Sequence, residues 1–86
     1  METELEINFG TRCSHKWQPC VSILYSFRLH LFTMDRETLL DVAPLENLTL
    51  EQKKEERRNF VLVSGGKSIE FRTKDETQKS EFLSEL

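Results

Sequence analysis

The feature that most constrains the fold lies in residues 60–72, where two apolar-rich runs flank a pair of adjacent glycines. The first run, FVLV, is rich in β-branched and aromatic residues, and the second, SIEFR, alternates polar and apolar side chains. Gly65 and Gly66 tolerate the positive φ angles that a two-residue hairpin turn requires. The pattern therefore predicts an antiparallel β-hairpin in which Ile69 and Phe71 face inward.

A second strong strand signal lies in residues 25–31, YSFRLHL. Its apolar side chains fall at every second position: Tyr25, Phe27, Leu29 and Leu31. A helix would spread them around its circumference, so the period of two favours one strand with Arg28 and His30 on the other face.

The remaining segments predict shorter strands and surface connections. Residues 4–9 alternate polar and apolar and predict a strand whose apolar face is formed by Leu5, Ile7 and Phe9. Two strands are predicted on either side of Pro44, because a proline disfavours a helix here. The predicted strands lie over residues 39–42 and 45–50, and the polar segments 11–20, 33–36 and 51–58 are predicted to be loops or turns.

The last 14 residues, 73–86, predict an amphipathic helix. Thr73 and Glu76 have the spacing of a capping box, and Phe82, Leu83 and Leu86 fall on one face. The chain is thus predicted to be mostly β with a C-terminal helix, in which an antiparallel sheet places the helix over one face or one open end.

Length and charge exclude several classes of protein. The 86 residues allow one domain, and they contain no apolar run of about 18 residues that could form a transmembrane helix. The acidic start METE does not resemble a secretory signal, so we expect a cytoplasmic location, peripheral to a membrane if the chain binds lipid. A net charge of −3 argues against nucleic acid as a partner.

The sequence contains no recognisable catalytic motif, and we predict neither an enzyme nor a bound cofactor. Cys13, His15, Cys20 and His30 offer metal-ligating side chains, but their spacing does not match the close ligand pairs of common structural zinc sites. A small metal-binding or thiol-dependent protein that uses Cys13, His15 and Cys20 remains the alternative function.

Three basic residues near the first loop, Arg12, Lys16 and Arg28, are candidates for lipid binding. If that loop folds over an open end of the sheet, their side chains could converge on a phosphorylated head group. The alternative is three scattered surface charges. Trp17 has two interpretations as well, a core plug or a loop tip that enters a membrane interface.

Residues 60–86 resemble the end of a pleckstrin homology (PH) domain, in which a final hairpin is followed by a capped helix. Five positions of the predicted helix fall on the family pattern: Glu76, Lys79, Phe82, Leu83 and Leu86. Residues 29–35 and 43–50 resemble two upstream strands of the family, particularly in Rho guanine-nucleotide exchange factors and FYVE-containing proteins. Phe82 stands where the family has a signature Trp, and the family's basic lipid-binding motif is not recognisable in residues 1–24.

The resemblance implies a bent antiparallel sheet that closes into a partly open barrel and is capped by one α-helix. It divides the chain into a PH-like core at 25–86 and a poorly readable strand and loop at 1–24. It also implies a non-catalytic signalling module that docks on a phosphoinositide membrane or a protein partner, in association with small-GTPase regulation. A further hypothesis is a fragment or splice form whose first strands are replaced by unrelated sequence.

Overall fold

The computed structural model describes residues 2–8, 10, 16–52 and 55–86, which form seven strands and one helix. The strands are β1 (Glu2–Asn8), β2 (Trp17–Tyr25), β3 (Arg28–Phe32), β4 (Leu39–Pro44), β5 (Thr49–Glu51), β6 (Asn59–Ser64) and β7 (Lys67–Arg72). The helix, α1, covers Glu76–Ser84.

All strands belong to one antiparallel sheet in the order β4-β3-β2-β1-β7-β6-β5. β1 occupies the centre, where it pairs with β2 along its whole length but with β7 only at Glu6 and Ile7. This short contact joins a four-stranded part (β1–β4) to a three-stranded part (β5–β7). Among the described residues, those before position 25 supply β1 and most of β2.

The core draws side chains from both parts of the sheet and from the helix. Its buried members are Leu5, Ile7, Cys20, Leu29, Leu31, Ala43, Phe60, Leu62, Ile69, Phe71 and Phe82. Phe82 of α1 packs on Phe60 and Phe71, with ring centroids 5.6 and 6.2 Å away. Full burial of one such side chain stabilises the fold by roughly 1.5–3 kcal/mol, so the helix is tied to the sheet mainly through this ring.

The predicted hairpin over residues 60–72 is confirmed as β6 and β7. Gly65 and Gly66 form its turn with φ values of +59° and +79°, and Ile69 and Phe71 are buried. The helix is also present, but the predicted cap is wrong. Asp75 is the N-cap and its side chain accepts a hydrogen bond from Gln78 N, whereas the Thr73 hydroxyl is buried and donates to Arg58 O.

Three other predictions need correction. Residues 25–31 are not one strand, because Ser26 and Phe27 form a turn between β2 and β3. The predicted loop over 11–20 is too long, since β2 begins at Trp17, and Phe9 lies outside the described residues. β5 is confined to Thr49–Glu51 because Glu46 and Asn47 form a turn.

Candidate functional site

The side chain of Asn8 closes the base of the connection between β1 and β2. Its Oδ1 accepts hydrogen bonds from the backbone N–H groups of Gly10 (2.8 Å) and Lys16 (2.9 Å). Its Nδ2 donates to Glu70 Oε1 at 2.8 Å, which anchors the same side chain to β7. The backbone of exposed Lys16 is therefore fixed at the point where the chain enters β2.

Trp17 lies beside this base, as the first residue of β2. The guanidinium of Arg72 stands 4.3 Å from the centre of its ring, in cation–π geometry. The same guanidinium donates to Glu6 Oε1 at 3.1 Å and Oε2 at 2.9 Å. Hydrogen bonding from Arg72 lowers the pKa of Glu6, because it favours the ionised carboxylate. Half-buried Trp17 is thus a strand residue covered by a cation, neither a core plug nor a loop tip.

Two of the predicted lipid-binding residues, Lys16 and Arg28, lie at opposite ends of β2. Lys16 precedes Trp17 at one end of β2, whereas Arg28 pairs with Tyr25 at the other end. At about 3.3 Å per residue, the eight steps of a straight strand separate these ends by about 26 Å. Both side chains are exposed, and Arg12 lies outside the described residues. A head-group site shared by Lys16 and Arg28 is therefore not formed.

The turn between β2 and β3 holds its residues in an unusual backbone conformation. Ser26 and Phe27 have φ values of +51° and +58°, which a bulky L-residue rarely adopts and which cost about 1–2 kcal/mol per residue. The Phe27 side chain is 87% exposed and that of Tyr25 is 69% exposed. A backbone hydrogen bond from Leu45 N to Phe27 O, 3.0 Å long, holds the turn against the chain after β4.

A row of aromatic rings continues from this turn along the outer face of the sheet. The His30 ring lies 6.0 Å from the Tyr25 ring and 6.3 Å from the Phe32 ring. Nδ1 of His30 is buried with no hydrogen-bond partner among the described residues. We refer to Tyr25, Phe27, Arg28, His30 and Phe32 as the aromatic surface.

Sequence reasoning missed the aromatic surface. The alternation of residues 25–31 assigned Tyr25 and Phe27 to the core face together with Leu29, but only Leu29 is buried. The turn carries neither glycine nor asparagine, the residues that normally indicate a two-residue hairpin turn. The sequence therefore offered no local signal that the strand ends at Tyr25.

The metal or thiol alternative gains no support from the described residues. Cys20 is completely buried in the core, and burial raises the pKa of its thiol to about 12, so the nucleophilic thiolate is scarce. Cys13 and His15 lie outside the described residues, and the described ranges contain no group of three His, Cys, Asp or Glu placed to hold a metal. Across the described ranges, no helix is long and apolar enough to cross a membrane.

Comparison with known proteins identifies the fold. No family profile and no curated protein matches the sequence. The PH domain of human TBC1 domain family member 2 aligns with a TM-score of 0.81 at 15% identity, over 99% of this chain and 75% of that one. The PH domain of human oxysterol-binding protein-related protein 11 aligns with a TM-score of 0.78 at 12% identity, over 99% and 74%.

The chain has the pleckstrin homology fold. A chain from a crystal structure of sifa and skip is similar as well, with a TM-score of 0.78 at 15% identity over 98% of this chain and 90% of that one. The predicted PH-like sheet with one C-terminal helix is thereby confirmed. At these identities the similarity is one of fold.

Proposed function

We propose that this PH-fold chain is a non-catalytic docking module whose aromatic surface binds a protein partner. The observation that carries the proposal is Phe27, which is 87% exposed in a left-handed conformation. Folding gains little from an exposed ring on a strained backbone, and such strain is typical of functional positions. Tyrosine and arginine, which adjoin this ring as Tyr25 and Arg28, are enriched among the residues that dominate binding energy at protein interfaces.

Charge favours a protein partner over an anionic membrane. The chain carries 15 acidic and 12 basic residues, so bulk attraction to acidic lipids is absent. Several of its described cations are already neutralised, since Arg72 pairs with Glu6, Arg36 with Glu2 and Lys67 with Asp41. The neighbour from the crystal structure of sifa and skip comes from a structure of two proteins, which also supports a protein-docking role.

A second candidate function is phosphoinositide binding at the connection between β1 and β2. Asn8 fixes the backbone of Lys16 there while leaving its ammonium exposed, and Arg12 belongs to the same connection in sequence. Arg28 lies at the far end of β2, so we assign it to the aromatic surface instead. We further propose an association with small-GTPase regulation, supported by the resemblance of residues 29–35 and 43–50 to strands of exchange-factor PH domains.

Two variants separate these functions. Phe27→Asn removes the ring but suits the left-handed backbone, because asparagine adopts positive φ readily. We expect it to lose part of the set of proteins that the wild-type chain captures from cells, measured by quantitative affinity purification, while the exposed-site control Glu37→Gln, outside both proposed surfaces, retains the full set. Equal capture by wild type and Phe27→Asn would refute the proposed surface.

Lipid binding is tested with phosphatidylcholine vesicles that contain or lack phosphoinositide. If the second candidate is correct, flotation depends on the phosphoinositide and falls in Lys16→Ala, while Phe27→Asn floats like the wild type. Flotation that does not depend on phosphoinositide would refute phosphoinositide binding and would leave the proposed protein docking unaffected.

A further inference from the structure

An open groove runs between α1 and the segment that includes β5. Its volume is about 960 Å³, and its lining includes Leu50, Arg57, Glu76, Lys79, Ser80 and Leu83. Binding sites for ligands of moderate size have volumes of about 300–1,000 Å³, so the groove has room for several side chains of a bound segment.

Lys79 is the unusual residue of this groove. Its exposed fraction is only 7% because the aliphatic stem is buried, whereas the ammonium reaches solvent and has no hydrogen bond or ion pair with any described residue. A lysine commonly buries its aliphatic stem while its charged head stays in contact with water, and no described carboxylate neutralises this one. Since Lys79 lines the groove, an anion in the groove would supply the missing partner.

The other charges of the groove do not neutralise Lys79. Glu76 is the one carboxylate among the described lining residues, and its Oε2 lies 4.0 Å from Arg57 Nη1. The lining therefore keeps an excess of positive charge although the whole chain is acidic. Leu50, 39% exposed, and half-buried Leu83 add apolar surface to the same lining.

The adjacent strand edge favours an extended occupant. Among the described strands, β5 is the last of the sheet and pairs only with β6, and its three residues are exposed. An edge strand presents unpaired backbone groups to which an extended segment can hydrogen-bond.

We propose that the groove binds an extended segment of a partner protein in which an Asp or Glu adjoins an aliphatic residue. The carboxylate of that segment pairs with Lys79 Nζ, and the aliphatic side chain contacts Leu50 and Leu83. This surface involves β5 and α1 and not the turn that holds Phe27. Either docking proposal can therefore be refuted without affecting the other.

The probe is a pool of labelled octapeptides in which one Glu or Asp adjoins Leu, Ile or Val, with a matched pool that carries Gln or Asn instead. Fluorescence polarisation measures binding to the full chain. We expect Lys79→Met to weaken binding of the acidic pool about tenfold or more, the effect of losing one charge-assisted hydrogen bond. Lys74→Met, an exposed lysine outside the groove lining, is the matched control and retains binding.

Three results would overturn the proposal. They are equal binding of the two peptide pools, undiminished binding by Lys79→Met, and no binding of the acidic pool by the wild type. Self-association of the free chain that Lys79→Met abolishes would replace the partner segment with a second copy of this chain. The melting temperature of Lys79→Met is expected to equal or exceed that of the wild type, and a clear fall would assign Lys79 to folding instead.

Discussion

The strained turn between β2 and β3 leads to a quantitative prediction for the double substitution of Ser26 by Asn and Phe27 by Gly. The native φ values of +51° and +58° suit a two-residue turn in which both central residues are left-handed, and Asn-Gly is the preferred sequence for it. The Phe27 ring is 87% exposed, so its removal sacrifices little buried surface. The substitution therefore relieves backbone strain at almost no cost in packing.

The expected gain follows from two opposing terms. Left-handed backbone costs about 1–2 kcal/mol for each residue that carries a side chain. Glycine at position 27 cancels roughly 0.5–1 kcal/mol of the relieved strain, because it raises the conformational entropy of the unfolded chain. A net stabilisation of about 1 kcal/mol remains, which raises the melting temperature of a domain of this size by about 4–8 °C.

Thermal unfolding followed by circular dichroism measures this change against the wild type. Asn-Gly placed at Glu46 and Asn47 is a suitable comparison, since that turn already has Asn47 at a φ of +57°. A melting temperature that stays the same or falls would refute the idea that the turn is strained. Together with unchanged partner capture, it would also remove the reason for assigning Phe27 a role in binding.

Three further outcomes follow from individual side chains. Phe82→Ala leaves a cavity beneath the helix and should destabilise the chain by about 3–5 kcal/mol, seen as a lower urea midpoint; an unchanged midpoint would contradict the capping role. The pKa of Glu6 is lowered by Arg72, so its stabilising effect is complete above the usual value of 4.5 and is lost as the pH falls through the folded-state value. The stability difference between wild type and Glu6→Gln should therefore shrink in acid, and a difference that grows would exclude this ion pair as its source. In a Cys13→Ser variant, the buried thiol of Cys20 should resist a thiol reagent until denaturant is added, whereas fast reaction of the folded chain would contradict its burial.

The two hairpin turns show which parts of the fold the sequence makes predictable. Gly65 and Gly66 mark the turn between β6 and β7, because only residues that tolerate positive φ favour that geometry, and the prediction was confirmed. Ser26 and Phe27 adopt a similar geometry without such residues. The apolar alternation runs on through this turn, so no local pattern separates β2 from β3.

The helix was predictable from its spacing, but the roles of its side chains were only partly so. Phe82 is buried as expected, whereas Leu86 is 37% exposed although it shares the predicted apolar face. Lys79 lies three residues before Phe82 and therefore occupies the same side of the helix. A lysine can bury its aliphatic stem, and sequence alone does not tell whether it does so.

The candidate binding residues share a physical property that separates them from the core. Phe27 costs stability through its backbone, and Lys79 does so through the side-chain freedom that its buried stem loses while its ammonium gains no ion pair among the described residues. A domain of this size is stabilised by only about 5–15 kcal/mol, so each such cost is a noticeable fraction of the total. Phe82, by contrast, is buried in the core and adds to the folding stability that offsets such costs. Function is expected at positions whose local structure lowers the stability of the fold. The turn at Phe27 and the groove at Lys79 are such positions, and this is the reason for assigning them to binding.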